Sequence, residues 1–335
     1  MSELALNTVE SLHGLQVVTL ENELLRVRIL PEAGAKIWQI TYRPLKTDLL
    51  WNNPCIPPAR HMIHAPYDDV WSGGWDELFP NDEEAVILGE HYPDHGELWS
   101  ATWHAEQFTS KDEAGVTLHL QTPLSSVQVN KTIALRHGCA QLRFSHRFTN
   151  HGAAPFPFLW KLHPAMRVTP QHRIDMPRMR VIREPDFPGT LEEAPLEFAW
   201  PYAPLQGGAV DLRRVSDPSE RELYFFYGAE VEDGWCAITD TKKRLACGLR
   251  FDPEVFPSCW LFASYGGWQD YNVAVLEPCT GYPFRFAAMQ AAGHARELQP
   301  EEALTTDVLF SVQEGLDSVG GIDESGRMIA AAPEP

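Results

Sequence analysis

Two side chains with acid–base chemistry lie far apart in the sequence, each at the end of an apolar stretch and each followed by a proline. His163 closes the stretch formed by residues 159–162, and Glu277 closes the stretch formed by residues 273–276. A proline stops strand pairing, so each side chain can emerge at the rim of a rigid sheet. Histidine titrates near neutral pH, and a carboxylate can serve as its proton-accepting counterpart. This pattern predicts a proton-transfer enzyme with His163 and Glu277 as catalytic residues, although each residue alone is also compatible with a purely structural role.

Further candidates for substrate contacts lie near these positions or in a segment rich in aromatic and acidic residues. Lys161 precedes His163 by two residues, so both side chains point to the same face of a strand, about 7 Å apart. We expect this face to be cationic and to favour an anion or hydroxyl groups. Trp75 and Asp76 lie in the segment 72–82, and His95 follows shortly after. Aromatic rings beside carboxylates are typical of sugar subsites; an acidic, solvated loop is the alternative.

Other classes of site find little support. His61, His64, His91 and His95 fall within one segment, but their spacing matches no known closed metal site, so no metal is predicted. The sequence also lacks a P-loop, a dinucleotide-binding glycine fingerprint and a Gly-x-Ser-x-Gly motif.

Composition narrows the class of protein. The chain has 335 residues, of which 44% are hydrophobic, and its formal net charge is -19. Such a charge repels nucleic acid and anionic membrane surfaces. The six cysteines are scattered without a CxxC motif, which indicates buried thiols in a reducing compartment. With neither a secretory signal pattern nor an apolar run of about 20 residues, the sequence predicts a cytoplasmic protein without membrane partners.

The hydrophobic pattern predicts an all-β fold. At least eleven segments have the pattern of a strand, mostly an alternation of apolar and polar residues, whereas no segment has a sustained helical period. The predicted strands are Leu25–Ile29, Trp38–Tyr42, Val116–Leu120, Leu142–Phe148, Leu223–Tyr227, Trp235–Thr239, Leu245–Phe251, Trp260–Ser264, Tyr271–Leu276, Phe284–Met289 and Leu304–Val312. We therefore expect a large antiparallel β-sandwich, with residues 1–335 as a single domain. Residues 52–93 and 185–218 are predicted as long loops over an open face, and the tail from about residue 321 is expected to fray.

Several short motifs, in order along the chain, resemble the galactose mutarotase-like, or aldose 1-epimerase, superfamily. They are Leu-Pro-Glu-Ala-Gly-Ala-Lys-Ile (30–37), Gly-Gly-Trp-Asp-Glu-Leu-Phe-Pro (73–80), His95-Gly96, Leu162-His163-Pro164, Glu277-Pro278 and Leu-Gln-Pro-Glu-Glu (298–302). The resemblance implies a β-sandwich with a sugar site on its concave face, and no cofactor. It also implies that His163 is the catalytic acid, that Glu277 is the base and that His95 contacts the substrate.

The function implied by the resemblance is interconversion of sugar anomers, with a small-molecule carbohydrate as the partner. Typical aldose 1-epimerases have an arginine ahead of the first histidine and an Asn-His context around the second, whereas this chain has Trp75-Asp76-Glu77 and Leu162-His163-Pro164 there. The sugar, including whether it carries a phosphate or a carboxylate, and the oligomeric state therefore stay open. Two other functions also stay open: a carbohydrate-binding or sensing protein without turnover, and a sugar epimerase or lyase on the same scaffold.

Overall fold

The computed structural model describes residues 5–7, 10–187 and 189–332. Up to Arg167 these residues form sixteen strands and one short helix: β1 (Ala5–Asn7), β2 (Ser11–Leu12), β3 (Leu15–Gln16), β4 (Val18–Glu21), β5 (Leu25–Leu30), β6 (Lys36–Tyr42), β7 (Thr47–Asp48), α1 (Tyr67–Val70), β8 (Trp75–Leu78), β9 (Ala85–Ile87), β10 (Glu90–Tyr92), β11 (His104–Thr109), β12 (Glu113–Gln121), β13 (Val127–Arg136), β14 (Gln141–Asn150), β15 (Phe156–Phe158) and β16 (Lys161–Arg167).

The later part of the chain is also built of strands. They are β17 (His172–Asp175), β18 (Arg180–Arg183), β19 (Glu197–Ala199), β20 (Tyr202–Leu205), β21 (Gly208–Asp211), β22 (Glu222–Ala229), β23 (Trp235–Asp240), β24 (Leu245–Arg250), β25 (Ser258–Tyr265), β26 (Asn272–Cys279), β27 (Arg296–Leu298), β28 (Ala303–Glu314), β29 (Val319–Ile322) and β30 (Met328–Ala330), with helix α2 at Phe286–Ala291 and a 3-10 turn at Pro218–Glu220. The prediction of an all-β protein with large antiparallel sheets is confirmed.

Contacts within the chain group it into two compact units. The first unit comprises the chain up to Pro164 together with Thr280–Val308; the second comprises Ala165–Cys279 and the chain from Leu309 onward. The expectation of a single domain stays a prediction. Among the described residues, no helix has both the length and the apolar character needed to cross a membrane.

The first unit contains two layers of antiparallel strands. One layer has the order β1-β4-β5-β6-β8-β16, and the other has the order β11-β12-β13-β14. Strand β5 shows the alternation of buried and exposed side chains. Val27 and Ile29 are buried, whereas Arg26, which precedes Val27, is exposed. Aromatic rings join the layers: the rings of Phe79 and Phe148 lie 5.2 Å apart. The core of this unit therefore lies between its two layers.

The second unit is also layered, with the orders β26-β25-β22-β18-β19 and β28-β24-β23-β17. The thiols of Cys236 on β23 and Cys259 on β25 lie within hydrogen-bonding reach of each other, and both residues are buried. Apolar strands of this unit thus pack against each other across its interior.

The structure corrects several details of the prediction. Two segments were predicted as long loops, but 52–93 contains helix α1 and strands β8, β9 and β10, and 185–218 contains strands β19, β20 and β21. Helix α2 occupies most of the predicted strand Phe284–Met289. Rather than fraying, the chain beyond residue 321 completes the β29–β30 hairpin, where Ile322 and Met328 are buried in an apolar cluster with Trp235. Burial of these two side chains holds the hairpin in place; residues 333–335 lie outside the described residues.

Candidate functional site

Neighbouring strands of the first unit bring three predicted site residues onto one face. Strands β8 and β16 pair antiparallel, with His163 directly opposite Asp76 and Lys161 directly opposite Leu78. Directly opposed residues point to the same side of a sheet, and so do residues two apart on one strand. His163, Asp76 and Lys161 therefore share a face, as the sequence predicted for the His163–Lys161 pair.

A loop and a short helix carry further rings to this face. His95, three residues after β10, has a left-handed backbone (φ 62°), and its amide donates to the carbonyl of Asp82 at 2.5 Å. Its ring stacks on Tyr67 of α1, with 4.0 Å between centroids and an interplanar angle of 11°. The rings of His95 and His163 lie 6.1 Å apart, edge to face. Four predicted residues thus come together in the first unit: His163, Asp76, Lys161 and His95.

Tyr67, Trp71 and Trp99 complete the cluster. Trp99 lies in the aromatic and acidic region around His95 that the sequence indicated, whereas Tyr67 and Trp71 were missed. The Tyr67 hydroxyl donates to Asp76 Oδ2 at 3.0 Å and lies 3.3 Å from His163 Nδ1. The ring of Trp71 is 5.7 Å from that of His163, and Trp99 meets the Tyr67 ring edge-on at 4.9 Å. The only signal for Tyr67 and Trp71 was their spacing of four residues, which is informative only once the four-residue helix α1 is known.

Two buried ion pairs determine the electrostatics of the cluster. Lys36 Nζ lies 2.5 Å from Asp76 Oδ2, and Lys161 Nζ lies 2.6 Å from Asp82 Oδ1. Lys161 is 2% exposed. The sequence predicted a cationic face at Lys161, but the structure has a buried pair of opposite charges there. Burial of an isolated ammonium would be costly, and Asp82 removes that cost. Asp82 balances the charge that the sequence assigned to Lys161 alone.

The pKa values of the two histidines of the cluster, His163 and His95, are shifted in opposite directions. Burial, together with the positive charges of Lys161, His95 and Lys36, lowers the pKa of His163 well below its usual value. Burial also acts on His95, but the contact with Asp94 and the negative charge of Asp82 outweigh it and raise the pKa of His95. At neutral pH His163 is therefore mainly a neutral imidazole, whereas His95 more readily holds a second proton.

Trp75 is not part of this cluster. It lies next to Asp76 on β8 and points to the other side of the sheet, where its ring lies 4.8 Å from that of Phe144. It is 2% exposed, and its position between the two layers is that of a core residue. Trp75 therefore does not face the His163 cluster. The aromatic rings on that face are those of Tyr67, Trp71 and Trp99 instead.

Glu277 belongs to the second unit, where it lies on β26 directly opposite Trp260 of β25. Trp260 in turn lies opposite Tyr227 of β22, and their rings are 4.8 Å apart. The three side chains therefore share one face of this unit's sheet, and Glu277 is 1% exposed. The Tyr227 hydroxyl donates to Glu184 Oε2 at 2.5 Å. Glu277 is thus a buried carboxylate beside aromatic rings, and its role as a catalytic base stays a prediction.

The described residues offer no group of three or more His, Cys, Asp or Glu side chains arranged to hold a metal ion. The four histidines singled out in the sequence do not converge on one centre: His61 packs on Trp99 at 5.6 Å between centroids, and His95 stacks on Tyr67.

No protein-family model matches the sequence. Similar solved structures include a candidate aldose 1-epimerase from Klebsiella pneumoniae, with a TM-score of 0.71 and 12% identity over 93% of this chain and 83% of that one. A galactose mutarotase-like protein from Clostridium acetobutylicum gives a TM-score of 0.66 and 11% identity over 93% and 99%. A galactose mutarotase related enzyme from Lactobacillus acidophilus gives 0.61 and 13% over 89% and 97%. The chain therefore shares its fold with these mutarotase-like proteins.

Proposed function

We propose that this protein is a carbohydrate mutarotase that interconverts the anomers of a sugar. The observation that carries the proposal is the buried cluster of the first unit, in which His163 lies opposite Asp76 among the rings of Tyr67, Trp71 and His95. Rings offer faces to the C–H groups of a sugar, and charged side chains offer partners to its hydroxyls. The similarity in fold to proteins named as aldose 1-epimerases or mutarotases supports the same function.

In the proposed reaction Glu277 removes the proton from the C1 hydroxyl of a cyclic sugar while the His163 imidazolium protonates the ring oxygen. The bond between C1 and the ring oxygen breaks and a carbonyl forms at C1. After rotation about the C1–C2 bond, the hydroxyl released by ring opening attacks the other face of C1 and returns its proton to His163. Glu277 then returns its proton to the new C1 oxygen, so no proton is consumed and no cofactor takes part.

The surrounding residues have distinct proposed roles. His95, whose pKa is raised by its acidic neighbours against the effect of burial, is the charged hydrogen-bond donor to a sugar hydroxyl. Asp76 Oδ2 is occupied by Lys36 and Tyr67, so a sugar hydroxyl would bind through Oδ1, which has no hydrogen-bond partner among the described residues. Lys161 and Asp82 together carry no net charge, so this pair does not favour an acidic sugar over a neutral one.

One observation favours a second candidate, a sugar epimerase that removes a carbon-bound proton next to a carbonyl. Burial and neighbouring cations lower the pKa of His163, and a mainly neutral imidazole is suited to accept a proton. The two reactions differ in the hydrogen that they move. Anomer exchange moves only hydroxyl protons, whereas this alternative introduces solvent deuterium at a carbon atom.

The deciding experiment is NMR of anomer exchange with freshly dissolved α-anomers of neutral, acidic and phosphorylated hexoses in D2O. We expect faster exchange for one class, and a loss of about 100-fold or more in the His163→Gln and Glu277→Gln variants. His104→Gln and Glu106→Gln are matched controls, because both side chains are exposed, and they should retain full activity.

Deuterium at a carbon atom would select the epimerase, and tight sugar binding without any exchange would select a binding or sensing protein. Substantial anomer exchange in either the His163→Gln or the Glu277→Gln variant would refute the catalytic assignment.

A further inference from the structure

A tyrosine hydroxyl connects the His163 ring to a carboxylate. The hydroxyl oxygen of Tyr67 lies 3.0 Å from Asp76 Oδ2 and 3.3 Å from His163 Nδ1, and all three side chains are buried. Asp76 Oδ2 also accepts from Lys36 Nζ, whose second partner is the carbonyl of Gly73 at 2.8 Å. The carboxylate, the phenol and the imidazole therefore form a chain of hydrogen bonds that starts at Lys36.

The direction of each hydrogen bond follows from the number of hydrogens available. A carboxylate in an ion pair can only accept, and a phenol has one hydrogen to donate. The hydrogen of Tyr67 therefore points to Asp76, and the phenol oxygen turns a lone pair towards His163. To bond with that lone pair, His163 must donate, so its Nδ1 carries the hydrogen.

We infer that Tyr67 is a positioning residue that, with Asp76, holds neutral His163 in the form with hydrogen on Nδ1. Nε2 is then the nitrogen that gives and takes the proton during the reaction. After the imidazolium has donated its proton from Nε2, the ring is already in the form that can accept one back at the same atom. No exchange between tautomers is needed within a catalytic cycle, an arrangement comparable to the aspartate that orients the histidine of a catalytic triad. The catalytic consequence rests on the proposed function, whereas the tautomer does not.

The geometry also separates this role from simple packing. The ring of Tyr67 already has a packing role, since it stacks on His95 and contacts Trp99 edge-on. A Tyr67→Phe variant keeps both ring contacts and removes only the hydroxyl. The hydroxyl contacts Asp76 Oδ2 and His163 Nδ1, so its removal acts on the orientation of the His163 ring.

The first test is long-range proton–nitrogen NMR of the full-length protein labelled with 15N-histidine, at pH 8, where His163 is neutral. The His163 signals are assigned by their absence in the His163→Gln variant. We expect the wild-type ring to show hydrogen on Nδ1, and Tyr67→Phe to show hydrogen on Nε2 or a mixture of both forms. Tyr265→Phe is the control, because it removes another buried tyrosine hydroxyl outside the His163 cluster and should leave the His163 signals unchanged.

The second test is anomer exchange by the same variants. We expect kcat of Tyr67→Phe to fall about 10- to 100-fold, the range for residues that orient a functional histidine, with KM unchanged. Hydrogen on Nε2 in the wild-type protein would overturn the inference, and so would an unchanged tautomer with unchanged kcat in Tyr67→Phe. Hydrogen on Nδ1 in a protein that does not accelerate anomer exchange would retain the tautomer assignment and refute the proposed function alone.

Discussion

Replacement of Glu77 by glutamine should strongly destabilise the first unit, because this carboxylate is the counterion of a charge network within the core. Glu77 is 3% exposed. Its Oε1 lies 3.0 Å from Lys131 Nζ and 3.1 Å from His146 Nε2, and its Oε2 accepts from Trp160 Nε1 at 3.2 Å. Glutamine can keep some of the hydrogen bonds, but it leaves the ammonium of Lys131 without its counterion in the core.

The electrostatic environment gives the magnitude. Burial favours the neutral acid, but the charges and hydrogen bonds of His146 and Lys131 outweigh it and lower the pKa of Glu77 from 4.5 to about 2. That difference corresponds to about 3 kcal/mol in favour of the ionised form. Removing one partner from a buried ion pair typically costs about 3–5 kcal/mol, because the other charge stays buried. We therefore expect Glu77→Gln to lower the free energy of unfolding by about 3–5 kcal/mol at pH 7.

The pH dependence follows from the sign of the shift. Because the pKa of Glu77 is lowered by folding, its contribution is fully present above pH 4.5 and is lost as the pH falls towards about 2. Urea denaturation at pH 7 and pH 3 should therefore show a smaller difference between wild type and Glu77→Gln at pH 3. The exposed pair of Glu106 with His104 provides a matched control, and Glu106→Gln should change stability by less than about 1 kcal/mol.

A double-mutant cycle tests the reasoning directly. Lys131→Met removes the ammonium at similar side-chain volume, so the double variant Glu77→Gln/Lys131→Met no longer contains the unpaired buried ammonium. We expect the loss of unfolding free energy in the double variant to be about 2 kcal/mol smaller than the sum of the losses in the two single variants. Additive effects, or a Glu77→Gln variant as stable as wild type at pH 7, would refute the view that the network depends on the Glu77 charge.

Two further predictions concern activity. If the imidazolium of His163 is the acid, its concentration falls about tenfold per pH unit above the lowered pKa of this residue. We therefore expect kcat/KM to decrease by about tenfold between pH 7 and 8. A flat or rising profile in anomer-exchange NMR would contradict this role. Asp82→Asn removes the counterion of Lys161, so we expect KM for a hexuronate to fall about fivefold relative to KM for a neutral hexose. Equal changes for both sugars would argue against any charge preference at Lys161.

Local periodicity was sufficient for much of the fold. Strand β5 alternates buried and more exposed side chains, and β12 and β14 follow the same period, so their pattern identifies strands without any knowledge of their neighbours. Strand β8 was missed for the opposite reason. Its sequence Trp-Asp-Glu-Leu has acidic residues at adjacent positions and hence on both faces, which is typical of a loop, yet all four side chains are buried.

The partners that make β8 possible lie far away in the sequence. Asp76 pairs with Lys36, 40 residues earlier, while Glu77 pairs with Lys131 and His146, 54 and 69 residues later. The β29–β30 hairpin was misjudged in a similar way. Its few apolar side chains are stable only against Trp235 and its neighbours, which the sequence does not place beside them.

The sequence by itself determined the class of fold and the chemical types from which a site can be built, including His163, Asp76, His95 and Glu277. Only the tertiary structure decided that the register of β8 and β16 puts His163 beside Asp76, that Trp75 faces the core, that Asp82 balances the charge of Lys161 and that Tyr67 bridges Asp76 and His163. The physical reason is that periodicity is a local property of the chain. The pKa of a buried group and the direction of its hydrogen bonds depend instead on charges and donors that come together only through folding.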